Sequence, residues 1–109
     1  MKLFSDVYDY TINDTKSFCY LDIIQNDAKQ IVTCTELPEN PGKNSTECTE
    51  FLFNRIYKEF CLNNVIWIEA KYNMWPKYTL CNFIYDNNKF SLINKEPFKH
   101  EKFIELIKE

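Results

Sequence analysis

Apolar, aromatic and β-branched residues in the first third of the chain fall into three short segments that predict β-strands. The strands are expected within residues 3–12, 18–25 and 30–35. Residues 13–16 and 26–29 separate them and contain Asn and Asp, which favour turns because their short side chains bond the nearby backbone. The pattern therefore predicts a three-stranded meander.

A four-residue apolar repeat predicts a helix in the middle of the chain. Residues 36–43 before it hold two prolines and the only glycine, so this segment is expected to be irregular. The helix should begin near Ser45, because Asn44 precedes Glu47 by three residues, as in a capping box. Its apolar face is predicted to comprise Cys48, Leu52, Ile56 and Phe60, with Phe53 and Tyr57 beside them.

Three further strands are predicted after this helix. Residues 65–70 form a short apolar, β-branched run typical of a central strand. Alternation divides its side chains between two sides, Ile66, Ile68 and Ala70 on one and Trp67 and Glu69 on the other. Residues 78–85 and 89–93 flank the sequence Asp-Asn-Asn at 86–88. Since Asn tolerates positive φ angles, a tight hairpin is expected there.

The chain is predicted to close with a helix whose first turn contains Pro97 and whose apolar stripe is Phe103, Ile104 and Ile107. The element order is then βββαβββα. This order predicts an α+β fold, a two-layer sandwich with a mostly antiparallel sheet and both helices on one face. The length of 109 residues fits a single domain, residues 1–109.

Charge and composition narrow the classes of partner. The net charge is −3, and the 13 basic residues are spread along the chain without a cationic stripe, so duplex nucleic acid is not an expected partner. No apolar run is long enough to span a bilayer, and the first residues lack the apolar stretch of a secretion signal. The sequence therefore predicts a cytoplasmic protein without a membrane partner.

The five cysteines are predicted to be reduced thiols, because they lack C-x-x-C spacing and a cytosol keeps thiols reduced. Apolar neighbours predict burial for all of them except Cys48, whose position is ambiguous. The single histidine, His100, is expected at the surface and leaves a histidine-based metal site short of ligands. No metal, cofactor or catalytic residue is predicted.

The loop that opens the first helix is one candidate binding site. It places a Gly, a Lys and two hydroxyls where backbone N–H groups lack helical acceptors, which is anion-binding chemistry. Its candidate residues are Gly42, Lys43, Asn44, Ser45 and Thr46. The Walker pattern is not met, since Leu37 occupies the position of the first Gly and Asn44 follows Lys43. Helix capping is the competing interpretation.

An aromatic group near residues 67–78 is the second candidate site. It comprises Trp67, Tyr72, Trp75 and Tyr78, with Glu69 on the same side of the predicted strand as Trp67. Such rings cover one end of a core, form a dimer interface, or stack on a nucleotide base. The sequence leaves these three interpretations open.

Residues in both candidate sites resemble a family of small uncharacterised bacterial proteins. The resemblance rests on Glu-Leu-Pro-Glu-Asn-Pro-Gly at 36–42, on Thr46, and on Trp-Ile-Glu at 67–69, and spans about residues 8–72. In that family Thr-Ser follows the Gly and His-Tyr-Pro follows the Glu, where this chain has Lys-Asn at 43–44 and Ala-Lys-Tyr at 70–72. The resemblance supports the element boundaries and implies no activity.

The leading functional hypothesis is a non-enzymatic binding protein that sterically blocks a protein target. Its size and acidity are compatible with an inhibitor or immunity protein encoded by a phage or mobile element, and association into a homodimer is expected. One alternative is sequestration of a nucleotide-like anion at the Gly42 loop, with Trp67 or Trp75 stacked on the base. The other is a small hydrolase using strand carboxylates, drawn from Asp6, Asp9, Asp14, Asp22 and Glu69.

Overall fold

The computed structural model of the chain describes residues 1–38 and 45–108, and these contain six strands and two α-helices in the predicted order. The α+β class and the order βββαβββα are confirmed. The elements are β1 (Lys2–Ile12), β2 (Thr15–Asn26), β3 (Lys29–Glu36), α1 (Thr46–Glu59), β4 (Val65–Lys71), β5 (Tyr78–Asp86), β6 (Lys89–Phe98) and α2 (His100–Ile107). No helix within the described ranges is both long and apolar enough to cross a membrane.

The strands form one sheet in the order β1-β2-β3-β4-β5-β6. Neighbouring strands are antiparallel except β3 and β4, which are parallel and are connected through α1. A parallel pair requires such a crossover, since a short turn can join only antiparallel strands. The sheet therefore consists of two antiparallel meanders joined along one parallel ladder, with β4 in its interior as predicted.

Two-residue turns close the outer hairpins. Asn13 and Asp14 have φ angles of 51° and 61°, and Asn87 and Asn88 have φ angles of 52° and 63°. These left-handed conformations are costly for most residues but accessible to Asn and Asp, and paired positive φ angles match the twist of a tight hairpin. The hairpin predicted around residues 86–88 is confirmed.

The two helices lie on opposite faces of the sheet, so the prediction that both occupy one face is wrong. On β4, Trp67 packs in the hydrophobic cluster that contains α1, whereas its neighbour Ile68 packs in the cluster that contains Phe103 of α2. Adjacent strand residues point to opposite faces, so the sheet separates the two clusters. The protein has a helix layer on each side of the sheet instead of the two-layer arrangement.

Strand β6 extends farther than its sequence suggests. Pro97 does not lie in the last helix; it lies near the end of β6, paired with Thr79, and α2 begins at His100. Strand pairing prevails here because β6 is an edge strand, where the missing N–H of proline costs no ladder hydrogen bond.

Helix α1 fills one face of the sheet with the predicted apolar stripe. Leu52 and Ile56 are completely buried, and the ring of Phe53 stacks on Phe83 of β5 with 3.9 Å between centroids. Residues from all six strands contribute to the cluster around α1. This cluster is the main hydrophobic core.

Side chains of α1 also hydrogen-bond both edges of the sheet. The Asn54 amide donates to the Phe90 carbonyl and accepts from the Phe90 N–H, each at 2.9 Å, and the Glu50 carboxylate accepts from the Leu92 N–H at 2.7 Å. At the other edge, the Tyr8 hydroxyl of β1 donates to Glu59 at 2.8 Å. One helix therefore contacts both β1 and β6.

All five cysteines lie in the described part of the chain and are free thiols. Cys19, Cys34, Cys48 and Cys81 are buried, whereas Cys61 is exposed. The expected burial of Cys61 is wrong because this residue follows the helix end in a left-handed conformation with φ of 53°, and Cys48 instead joins the core. The pKa of Cys81 is raised to about 12, mainly by burial and to a smaller extent by the nearby Glu69 carboxylate.

We expect Leu52→Ala to lower the free energy of unfolding by about 2 to 5 kcal/mol, because it empties a fully enclosed leucine site. Lys58→Ala, at an exposed position in the last turn of the same helix, should change it by less than about 0.5 kcal/mol. Urea denaturation of both variants measures the difference. Equal destabilisation by the two substitutions would contradict this orientation of α1.

Thiol titration should count one fast-reacting cysteine in the native protein and five in the denatured, unreduced protein. Only Cys61 is accessible, and a raised pKa leaves the Cys81 thiol almost entirely protonated near neutral pH. Cys61→Ser should remove the fast phase completely. Two or more fast native thiols would show that the core around α1 is open.

Candidate functional site

The structure describes only part of the candidate site in the loop before α1, namely Ser45 and Thr46. Gly42, Lys43 and Asn44 lie outside the described residues. Ser45 is the N-cap of α1, and its hydroxyl accepts a hydrogen bond from the Cys48 N–H at 3.3 Å. The capping-box pattern predicted Asn44 as the N-cap, but the N-cap is Ser45. Thr46 is the exposed first residue of the helix. For Ser45, helix capping is the observed role.

Trp67 belongs to the hydrophobic core. Its side chain is only 1 % exposed, and its ring lies 5.4 Å from that of Phe53, measured between centroids. The indole N–H is buried and has no hydrogen-bond partner among the described residues. Because α1 covers the ring, Trp67 is not available to stack on a ligand.

The buried carboxylate of Glu69, on the same side of β4 as Trp67, forms an ion pair with the half-buried Lys95. One carboxylate oxygen accepts from Lys95 Nζ at 2.8 Å, and the other accepts from the Thr49 hydroxyl of α1 at 2.7 Å. A buried carboxylate requires such compensation because desolvation of an unpaired charge is expensive. Both oxygens are engaged, so Glu69 fastens α1 to β4 and β6.

The five strand carboxylates considered for hydrolysis do not converge. Asp22 follows Leu21 of the α1 cluster by one residue and so faces the α2 side, whereas Glu69 faces α1. Asp6, Asp9 and Asp14 are exposed along β1 and in its turn. No group of three or more possible ligands that could hold a metal occurs among residues 1–38 and 45–108. The structure thus provides no observation in favour of a carboxylate pair.

The segment between β4 and β5, which we term the aromatic loop (residues 72–77), exposes large side chains. Tyr72 is 62 % exposed, Trp75 60 % and Met74 44 %. The loop begins with a short 3-10 turn, Tyr72–Met74, and the Lys77 N–H donates to the Met74 carbonyl at 2.8 Å. The sequence grouped Trp67 and Trp75 together, but one lies in the core and the other at the surface.

A cavity of about 690 Å³ opens beside the aromatic loop, where β4 ends, β5 begins and β6 ends. Its polar wall includes Lys71, Lys77 and His100, together with the Lys95–Glu69 pair. Its apolar wall includes Met74, Pro76, Pro97 and Phe98. Since the Lys95–Glu69 pair is neutral as a whole, Lys71 and Lys77 give the wall a positive charge.

His100, the first residue of α2, forms part of the cavity wall, so the N-terminus of α2 lies beside the cavity. Lys99 is the N-cap and its side chain makes no capping hydrogen bond. The first amide to donate within the helix is that of Phe103, to the Lys99 carbonyl at 3.0 Å. The three amides before it have no acceptor inside the helix, and together they create a partial positive charge. Glu101, the acidic residue of this turn, is exposed and is not part of the cavity wall.

Tyr78 and His100 are two buried polar groups at this place. The Tyr78 ring stacks on His100 with 5.7 Å between centroids and on Phe103 with 4.1 Å. The Tyr78 hydroxyl and His100 Nδ1 are both buried and have no hydrogen-bond partner in the described part of the chain. Burial raises the pKa of Tyr78 to about 12, so this hydroxyl remains a hydrogen-bond donor.

Sequence reasoning did not assemble this site. His100 was expected at the surface, and neither Lys71 nor Lys77 was considered a binding residue. The contacts join residues 71–78 to residues 95–100, and no local pattern signals them.

Comparison of the chain with protein-family models, with curated proteins and with solved structures finds no match.

Substitution of the two tryptophans should destabilise the protein to very different extents. Trp67→Ala is expected to lower the free energy of unfolding by about 3 to 5 kcal/mol, since it empties the core beneath α1. Trp75→Ala should lower it by only about 0.5 to 1.5 kcal/mol, because the ring is mostly exposed and loses an edge-to-face contact with Tyr78. Thermal and chemical denaturation test this difference, and comparable losses of stability would place the Trp75 ring in a core.

Proposed function

We propose that the protein is a non-enzymatic binding protein that docks its aromatic loop onto an acidic surface of a protein partner. The observation that carries this proposal is the exposure of Tyr72, Met74 and Trp75 side by side on one loop. Tyr, Trp and Met are enriched in protein interfaces, and Trp and Tyr are frequent among the residues that dominate binding energy.

The charge around the loop supports an acidic partner. Lys71 precedes the loop and Lys77 is its last residue. Both are exposed, and neither forms an ion pair within the residues that the structure describes. The chain as a whole carries a net charge of −3, so the loop is a local cationic region on an acidic protein. Complementary charge on a partner would steer association and fix its orientation.

The position of the loop suits steric blocking. It joins β4, in the interior of the sheet, to β5, so both of its ends are anchored in the paired part of the fold. A loop held by a rigid scaffold loses little conformational freedom on binding. These features support a protein that acts by covering a surface of its target. That it is an inhibitor or immunity protein from a phage or mobile element stays a prediction.

Homodimer formation remains a prediction, and some strand edges suit it poorly. Backbone groups of Phe90 and Leu92 at the β6 edge are already bonded to α1, so β6 is a poor edge for another strand. On β1, the Val7 N–H is bonded to the Asp6 carboxylate at 2.7 Å, which blocks one donor of that edge. The cross-strand pair Val7 and Tyr20 is exposed on β1 and β2, and we propose this face as one surface for self-association.

The docking proposal is tested with immobilised wild-type protein and Trp75→Ala, compared side by side for capture of protein from a cell extract. The captured protein is then purified, and its affinity is measured directly. Trp75→Ala should weaken binding by roughly 30-fold or more, the effect of losing about 2 kcal/mol at a central interface residue. Lys77→Glu should also weaken binding, and added salt should reduce the affinity of the wild type.

Tyr85→Ala is the matched control, because Tyr85 is also 60 % exposed but lies at the far end of β5. Its affinity should equal that of the wild type. A partner that binds Trp75→Ala and wild type equally, or whose binding is lost with Tyr85→Ala instead, would refute docking through the aromatic loop.

A further inference from the structure

We infer that the cavity between the aromatic loop and the first turn of α2 binds a small organic phosphate, with the phosphate at the α2 N-terminus and an apolar body against the prolines and Phe98. This inference goes beyond the proposed docking function and does not depend on it. The nucleotide-like alternative placed its anion at the Gly42 loop, whereas this site lies in a different part of the fold.

The first argument is the supply of hydrogen-bond donors. The first turn of α2 offers backbone amides without side-chain capping, and helix N-termini bind phosphate through such amides and through the helix dipole. Tyr78 adds a hydroxyl that is buried and has no hydrogen-bond partner among residues 1–38 and 45–108. Its side chain is 3 % exposed, and an unsatisfied buried hydroxyl is costly unless something accepts its proton in a hydrogen bond.

The second argument is charge. Lys71 and Lys77 contribute two cationic side chains to the wall. Glu69, the only carboxylate among the described residues of the wall, is already paired with Lys95. A phosphate monoester carries a charge of about −1.5 to −2 at neutral pH and has three acceptor oxygens. A carboxylate has one charge and two oxygens, so it would leave part of this donor set unused.

The third argument is size and polarity. A volume of about 690 Å³ lies within the range of small-molecule sites, roughly 300 to 1,000 Å³, and far exceeds the space that a bare phosphate needs. The remaining wall is apolar, with Met74, Pro76, Pro97 and Phe98. An apolar or aromatic group attached to the phosphate would fill this space.

Calorimetric titration of the full chain with phenyl phosphate, inorganic phosphate and phenylacetate tests the inference. Phenyl phosphate should bind with a stoichiometry of one and more tightly than either other probe, since only it combines the dianionic head with an aromatic body. No binding of phenyl phosphate would overturn the inference. Equal affinity for phenylacetate would overturn the assignment to phosphate, and equal affinity for inorganic phosphate would overturn the apolar half of the site.

Tyr78→Phe separates a ligand contact from a structural role. It should weaken phenyl phosphate binding by about tenfold or more, the loss expected for a hydrogen bond to a charged group. Its melting temperature should equal or exceed that of the wild type, because the substitution removes a hydroxyl that lacks a partner. Tyr85→Phe, at the far end of β5, is the matched control and should bind as the wild type does.

Lys77→Gln provides a second variant at an exposed position, so its folding is not at risk. It should weaken phenyl phosphate binding severalfold and reduce the salt dependence of that binding. Unchanged binding by both Tyr78→Phe and Lys77→Gln would overturn the inference. Partner docking is measured with a protein and this inference with phenyl phosphate, so failure of one proposal is distinguishable from failure of the other. Trp75 is not part of the cavity wall, although its ring contacts that of Tyr78.

Discussion

The contact of α1 with both edges of a single sheet is the constraint on which the rest of the structure depends. Glu47 and Glu59, near the two ends of α1, bond to Asn13 and Tyr8 of the first hairpin, while Asn54 in the middle bonds to β6. Six strands spaced about 4.8 Å apart extend over roughly 24 Å, whereas a helix with its side chains is only about 10 Å wide. For α1 to bond both the β1 edge and the β6 edge, the sheet must curve around the helix.

This curvature explains why the candidate site lies where it does. The Glu69 carboxylate joins Thr49 of α1 to Lys95 of β6 and thereby draws the end of β4 toward α1. Helix α2 covers the opposite face, with Phe103 against Tyr78. The cavity opens at the end of the sheet between these two attachments. Glu69 and Tyr78 in its wall are consequently held by the two cores, whereas Lys77 belongs to the aromatic loop.

The sequence predicted those features that depend on neighbouring residues. The Asn87-Asn88 turn and the apolar stripe of α1 require only local conformational preference and periodicity, and both agree with the structure. The side of the sheet that α2 covers could not be predicted, because the stripe of Phe103 shows that one face of a helix is buried without showing against what. The different environments of Trp67 and Trp75 and the stacking of Tyr78 on His100 likewise depend on contacts between segments far apart in the chain.

The parallel ladder between β3 and β4 also has a consequence for how the chain reaches its native state. Each meander is held by hairpins whose partners are close in sequence, whereas Gln30 pairs with Val65 and Glu36 with Lys71 across the whole of α1. Closing a long loop costs entropy before its contacts repay that cost, and non-local pairing slows folding. We therefore expect the hairpins of the two halves to form before the joining of β3 to β4, which requires α1 to close over the sheet.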